Sequence, residues 1–83
     1  MSKVRIYTTT FCPYCVAAKA LLDQKGVAYE EINLTHNPDE KQKVMGELGW
    51  RTVPIILIGD ALVGGFDELA GLEREKKLDA MLP

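Results

Sequence analysis

Cysteine and histidine are scarce in this chain: two Cys and one His occur in 83 residues. Three such residues fall short of the four protein ligands of a structural zinc site, and His36, followed by Asn37 and Pro38, reads as part of a solvated loop. No metal ligand is assigned. An excess of positive charge is missing too. Ten basic against twelve acidic residues leave a formal net charge of −2, and the two signs are interspersed, so no phosphate-binding stripe forms and nucleic acid is not expected as a partner. No run approaches the roughly 20 apolar residues that cross a bilayer. The first residues lack the charged region, apolar stretch and cleavage site of a secretory signal. These absences lead to the expectation of a cytoplasmic protein without a membrane partner. No repeat, linker or low-complexity segment interrupts residues 1–83, expected to form one domain. A 47% share of hydrophobic residues supplies its core.

Two cysteines in such a chain are poor candidates for a structural staple, because reducing compartments keep thiols reduced. Cys12 and Cys15 stand three residues apart, and closing so short a loop removes little chain entropy. Reactivity is the better reason for the pair.

Lys3 to Thr8 alternates charged Lys3 and Arg5 with apolar Val4 and Ile6, as a strand with one buried face does. From Pro13 the period becomes helical through Cys15, Ala18, Leu21 and Leu22, and Gly26 suits the position just past the end. Val27 to Leu34 reads as a second strand, placed at a sheet edge by Glu30 and Glu31. Asn37, Pro38 and Glu40 mark a helix start with an N-cap, a proline in the first turn and an acid spaced for a capping box. Val44, Met45 and Leu48 give this helix a narrow apolar face, and Gly49 ends it. The opening is thus β-α-β-α, which implies parallel strands joined by a right-handed crossover. Val53 to Ile58 reads as a strand buried on both faces, and Gly59-Asp60 as a hairpin turn into Ala61-Leu62-Val63. Gly64-Gly65 breaks that strand. Phe66, Leu69 and Leu72, then Leu78 and Leu82, mark helical segments.

Strand, turn and helix therefore meet at Cys12-Pro13-Tyr14-Cys15. A thiolate is the nucleophile of disulfide exchange, and a free thiol with a pKa near ~8.5 is mostly protonated at neutral pH. At the helix start, unpaired N–H groups and the positive end of the macrodipole favour the Cys12 thiolate, while Pro13 preorganises the turn. Cys12 is expected to be the exposed, acidic sulfur. Cys15 shares the apolar stripe of Ala18 and Leu22, so it is expected to be inward and less ionised, suited to resolving a mixed disulfide. Residues three apart on a helix have Cβ atoms about 5–6 Å apart, close enough for a redox-active Cys12–Cys15 disulfide after modest adjustment. Tyr14, between the cysteines, is expected to line a groove. Trp50 is expected to pack beneath a loop.

Tyr7-Thr8, Cys12-Pro13-Tyr14-Cys15, Thr52-Val53-Pro54 and Gly64-Gly65-Phe66-Asp67, in this order and spacing, together resemble a glutaredoxin over nearly the whole chain. The resemblance implies a thioredoxin-like α/β fold, with a four-stranded mixed sheet (β-α-β-α-β-β-α) and flanking helices. It also implies a glutathione-dependent oxidoreductase that reduces disulfide-bearing and glutathionylated proteins as a monomer, with glutathione as co-substrate and no bound cofactor. The glutathione groove would be formed by Tyr14, Arg51, Thr52, Val53, Pro54, Gly65, Phe66 and Asp67. In it, a cis Val53-Pro54 bond would turn the Val53 backbone toward the tripeptide. Asp67 would accept from the γ-glutamyl ammonium, N–H groups at the helix start would meet a carboxylate, and Arg51 would meet the glycyl carboxylate.

Two positions depart from the family's pattern. Thr9 stands where many glutaredoxins have a lysine, and Phe66 replaces a smaller, often polar residue. Both bear on glutathione affinity and neither touches the dithiol. They favour an alternative within the same chemistry, a redoxin reduced by thioredoxin reductase that passes electrons to a reductase such as ribonucleotide reductase. An alternative of another class is a glutathione-ligated iron–sulfur cluster shared by the Cys12 residues of two chains, against which Pro13 counts.

Overall fold

The computed structural model describes residues 3–82. Strand β1 (Val4–Thr8) leads to helix α1 (Pro13–Gln24), strand β2 (Tyr29–Asn33) to helix α2 (Pro38–Leu48), and strands β3 (Ile55–Ile58) and β4 (Ala61–Gly64) to helices α3 (Phe66–Arg74) and α4 (Leu78–Met81). The strands form one sheet in the order β2-β1-β3-β4. β1 is parallel to β2 and antiparallel to β3, and β4 returns antiparallel to β3. This is the thioredoxin-like mixed sheet, with β2 at an edge, where Glu30 is exposed and Glu31 partly so.

β2 is shorter than the apolar pattern over 27–34 suggests. The N–H of Gly26 bonds the Asp23 carbonyl at 3.0 Å and that of Val27 bonds the Leu22 carbonyl at 3.2 Å, which caps the end of α1 and withholds Val27 from the sheet. At the start of α2, Asn37 accepts the Glu40 N–H at 3.4 Å, but the Asn37 N–H goes to the Leu34 carbonyl at 3.0 Å. The expected capping box is therefore only half formed. The strand expected from Val53 begins instead at Ile55, and Gly64 closes β4 where a break was expected.

One face of the sheet packs Val4 and Ile6 of β1 and Ile56 and Ile58 of β3 against Ala18 and Leu22 of α1, Leu69 of α3 and Leu78 of α4. Ile55 and Leu57, which alternate to the opposite face, are buried as well. β3 is thus covered on both sides. Each such side chain contributes about 1.5–3 kcal/mol when fully buried, which makes β3 the spine on which the site is mounted. Lys25 ties the helices together, reaching Glu73 at 2.9 Å and Asp79 at 2.8 Å.

The topology decides where chemistry can occur. β1 ends, β3 begins and β4 ends at the same end of the sheet, since Tyr7 pairs with Ile55 and Ile56 with Gly64. Three connections separated in sequence therefore converge: Thr9 to Cys12, Trp50 to Pro54, and Gly65 with the first turn of α3.

Candidate active site

The loop that delivers Cys12 is held from beneath. The Thr10 N–H donates to the Thr35 hydroxyl at 2.7 Å, and Asn33 accepts the Thr35 N–H at 2.9 Å. These bonds pin residues 9–11 to the β2–α2 connection and leave Phe11 93% exposed. Cys12 is the N-cap of α1, with extended backbone (φ −135°, ψ 100°), and Pro13 follows in the first turn. A proline there forfeits no intrahelical bond.

Cys12 and Cys15 are joined as a disulfide with Cα atoms 5.2 Å apart, and the Cys15 N–H donates to Cys12 Sγ at 3.1 Å. The first turn of α1 carries no acidic residue. Opposing these influences, the Val53 carbonyl oxygen lies 3.7 Å from Cys12 Sγ, where it disfavours a negative sulfur and offers an acceptor to a thiol. Cys15 is 1% exposed and Cys12 is 9% exposed. The expectation of an exposed Cys12 needs correction: it is the more open of the two, but Val53 and its partner sulfur cover most of it. An attacking group therefore has a narrow approach.

A cleft of about 340 Å³ begins at Tyr14 and runs along Thr52, Val53 and Pro54 to Gly65, Phe66 and Asp67. Trp50 and Glu68 complete its lining. The Val53-Pro54 bond is cis. The Tyr14 and Phe66 rings lie 6.4 Å apart, tilted by 33°, so the aromatic between the cysteines and the residue after the glycine pair form one wall. Arg51 is exposed and is not among the residues that line this cleft.

Trp50 packs beneath the glycine pair, as expected, and faces the cleft as well. Gly64 has φ +115°, and a Cβ placed there would stand 2.9 Å from Trp50 Cη2 and 3.1 Å from Glu68 Cγ. Only glycine fits this strand end. Beneath it, the Trp50 indole Nε1 is buried without a hydrogen-bond partner.

Glu68 was not singled out from the sequence, although its place three residues after Gly65, the helix N-cap, was the available signal. Lys41 is another such residue. It lines a second depression together with Thr9, Thr10, Phe11 and Thr35. Its position in the first turn of α2 gave no hint of that proximity. His36 is exposed, and among the described residues no group of three or more His, Cys, Asp and Glu stands close enough to hold a metal.

The model of the family described as Glutaredoxin matches residues 4–63. The chain belongs to the glutaredoxin family. It is 49% identical over 82 residues to a glutaredoxin of Pseudomonas aeruginosa, covering 99% of this chain and 98% of that one. Among solved structures it resembles the glutaredoxin of Brucella melitensis at 45% identity and a TM-score of 0.87, covering 99% of this chain and 89% of that one. It also resembles a buckwheat glutaredoxin in complex with glutathione, at 33% identity and a TM-score of 0.90, covering 98% and 76%. Membership makes the protein a thiol–disulfide oxidoreductase, and the paired cysteines are its redox-active group. None of the helices among the described residues is long and apolar enough to cross a membrane.

Proposed function

We propose that this glutaredoxin is a glutathione-dependent dithiol oxidoreductase acting in the cytoplasm on disulfide-bearing and glutathionylated proteins. The observation that carries the proposal is the placement of Cys12 Sγ at the start of α1, accepting the Cys15 N–H at 3.1 Å, beside a cleft shaped by Thr52, Val53 and Pro54. Helix-start N–H groups favour the thiolate, so Cys12 is the nucleophile. Its thiolate attacks one sulfur of the substrate disulfide, forms a mixed disulfide and expels the other sulfur as a thiolate. Cys15, buried directly behind, loses its proton and attacks Cys12 Sγ. The substrate leaves fully reduced, and the protein keeps the Cys12–Cys15 disulfide.

Two glutathione molecules reverse that oxidation. The first opens the disulfide at Cys12, and the second attacks the sulfur of the bound glutathione, releasing glutathione disulfide and the Cys12 thiolate. Exchange of this kind needs the attacking and leaving sulfurs in line, which the cleft serves by holding the tripeptide along Val53, whose backbone can pair with its cysteine residue as an added strand does. Tyr14 and Phe66 wall the cleft, Asp67 accepts from the γ-glutamyl ammonium, and the N–H groups of Phe66 and Asp67 meet the γ-glutamyl carboxylate. The likeness to a glutaredoxin solved with glutathione supports this reading.

The deciding experiment reduces a glutathionylated substrate with glutathione and glutathione reductase in one arm, and with thioredoxin reductase in the other. Turnover in the first arm is expected. Turnover only in the second would transfer the electron source to thioredoxin reductase and leave the dithiol chemistry intact.

A further inference from the structure

α3 starts beside the cleft, and the N–H groups of its first turn have no acceptor within the helix. Such a start attracts anions through both its N–H groups and its dipole. In this chain an anion is already there. The Gly65 N–H donates to the Glu68 carboxylate at 2.9 Å, and the Glu68 side chain lies over the glycine pair. A Cβ on Gly64 would stand 3.1 Å from Glu68 Cγ, and one on Gly65 would stand 3.2 Å from Glu68 Oε1. Trp50 backs the same two glycines. A hydrogen bond and packing together hold this carboxylate at the cleft wall. Glu68 and Asp67 both line the cleft, and no lysine or arginine does.

We infer that Glu68 is a built-in competitor for ligand carboxylates at the start of α3, and that it sets how strongly this glutaredoxin holds the γ-glutamyl end of glutathione. The inference rests on the proposal that glutathione docks with that end at α3. Asp67 is matched to an ammonium, so the two acids act differently: Asp67 recognises the positive group of an amino-acid end, whereas Glu68 repels the negative one. A cleft so charged discriminates little between an α-carboxylate and a neutral amide at that position. It favours disulfide partners whose neighbouring groups are cationic or neutral.

Glu68→Gln removes the charge while keeping an oxygen to accept the Gly65 N–H, so the start of α3 keeps its cap. KM is measured for glutathione and for its analogue with the γ-glutamyl α-carboxylate converted to a carboxamide, in both chains, at low and high salt. The native chain is expected to use the two reductants with KM values within about twofold of each other, because Glu68 offsets the attraction of the helix start. In Glu68→Gln the KM for glutathione should fall roughly two- to fivefold, and that for the amide less, as expected for removal of one like charge near a helix N-terminus. The difference should narrow at high salt. An unchanged or raised KM for glutathione in Glu68→Gln overturns the inference while glutathione turnover by the native chain stands. A native preference for glutathione over the amide above about fivefold overturns it without any variant. If neither chain turns over with glutathione while both are reduced by dithiothreitol, the docking proposal itself fails, and this inference with it.

Discussion

Two helix starts meet at the cleft wall, where Tyr14 of α1 lies beside Phe66 of α3, and the same backbone device serves them differently. At α1 the cap is the side chain of Cys12, the first turn has no acid, and the N-terminal field is left for a sulfur. At α3 the cap is a glycine, the first turn holds Asp67 and Glu68, and the field is met by the protein's own carboxylate. A helix N-terminus is thus the stronger anion site where its first turn leaves it uncompensated. The chain keeps the start of α1 free of acids and caps that of α3 with its own carboxylate, which stabilises α3.

The largest expected effect breaks the comparison at α1. Cys12→Ser should lower disulfide reduction by at least roughly a thousandfold, since a serine hydroxyl is not ionised at neutral pH. Cys15→Ser should lose closure of the internal disulfide but keep activity on glutathionylated substrates. Steady-state assays on a glutathionylated peptide and on a protein disulfide separate the two, and equal loss for both variants on the peptide would erase the division of roles.

At the other start, Gly64→Ala forces a Cβ to within 2.9 Å of Trp50 at φ +115°. A cost of about 1–3 kcal/mol is expected, read from urea unfolding followed by the fluorescence of the single tryptophan. Retained stability would show that Trp50 and Glu68 can yield, and that the start of α3 is less rigidly built than its contacts indicate.

Making α1 resemble α3 tests the electrostatic half of the comparison. Tyr14→Glu places an acid in the first turn, and alkylation of the reduced Cys12 at neutral pH should slow by about two- to fivefold. Mass spectrometry that follows Cys12 and Cys15 separately gives the rates. Faster alkylation would mean that access outweighs charge.

The smallest effect lies away from both helix starts. The Thr8 hydroxyl donates to Glu31 at 2.8 Å and Lys19 reaches the same carboxylate at 3.0 Å. The Thr8 bond first, and then Lys19, hold the Glu31 carboxyl below its ordinary value of 4.5. A carboxylate with a lowered folded-state pKa stabilises the fold above its unfolded value and loses that contribution as pH falls through the folded one. Thr8→Val should therefore narrow the pH-dependent gain in stability between acidic and neutral pH, by less than about 1 kcal/mol because Glu31 is partly exposed. Parallel unfolding curves at pH 7 and below pH 4 measure it, and an equal difference from the native chain at both pH values would remove Glu31 from the account.

What the sequence by itself determined is what short-range chemistry decides. Alternation marked β1 and a continuous apolar run the doubly buried β3, Pro13 and Pro38 marked helix starts, Gly26 and Gly49 marked helix ends, and the spacing of Cys12 and Cys15 placed both sulfurs on one turn. Periodicity and capping depend on neighbours within a few residues, so one chain read alone carries them. The tertiary structure decided what depends on distant partners. The antiparallel return of β3 brings Val53 over Cys12 and shields a sulfur that local reasoning left open, and the exit of β4 beside it brings Gly65 and Phe66 to Tyr14. Trp50 meets Gly64, Lys41 shares a depression with Thr9, and Arg51 stays outside the cleft, because these relations are fixed by strand order and by where each connection leaves the sheet. Glu68 lies between the two cases. Its spacing from Gly65 is local and readable, but its side chain lines the cleft only because the sheet sets the start of α3 beside Tyr14.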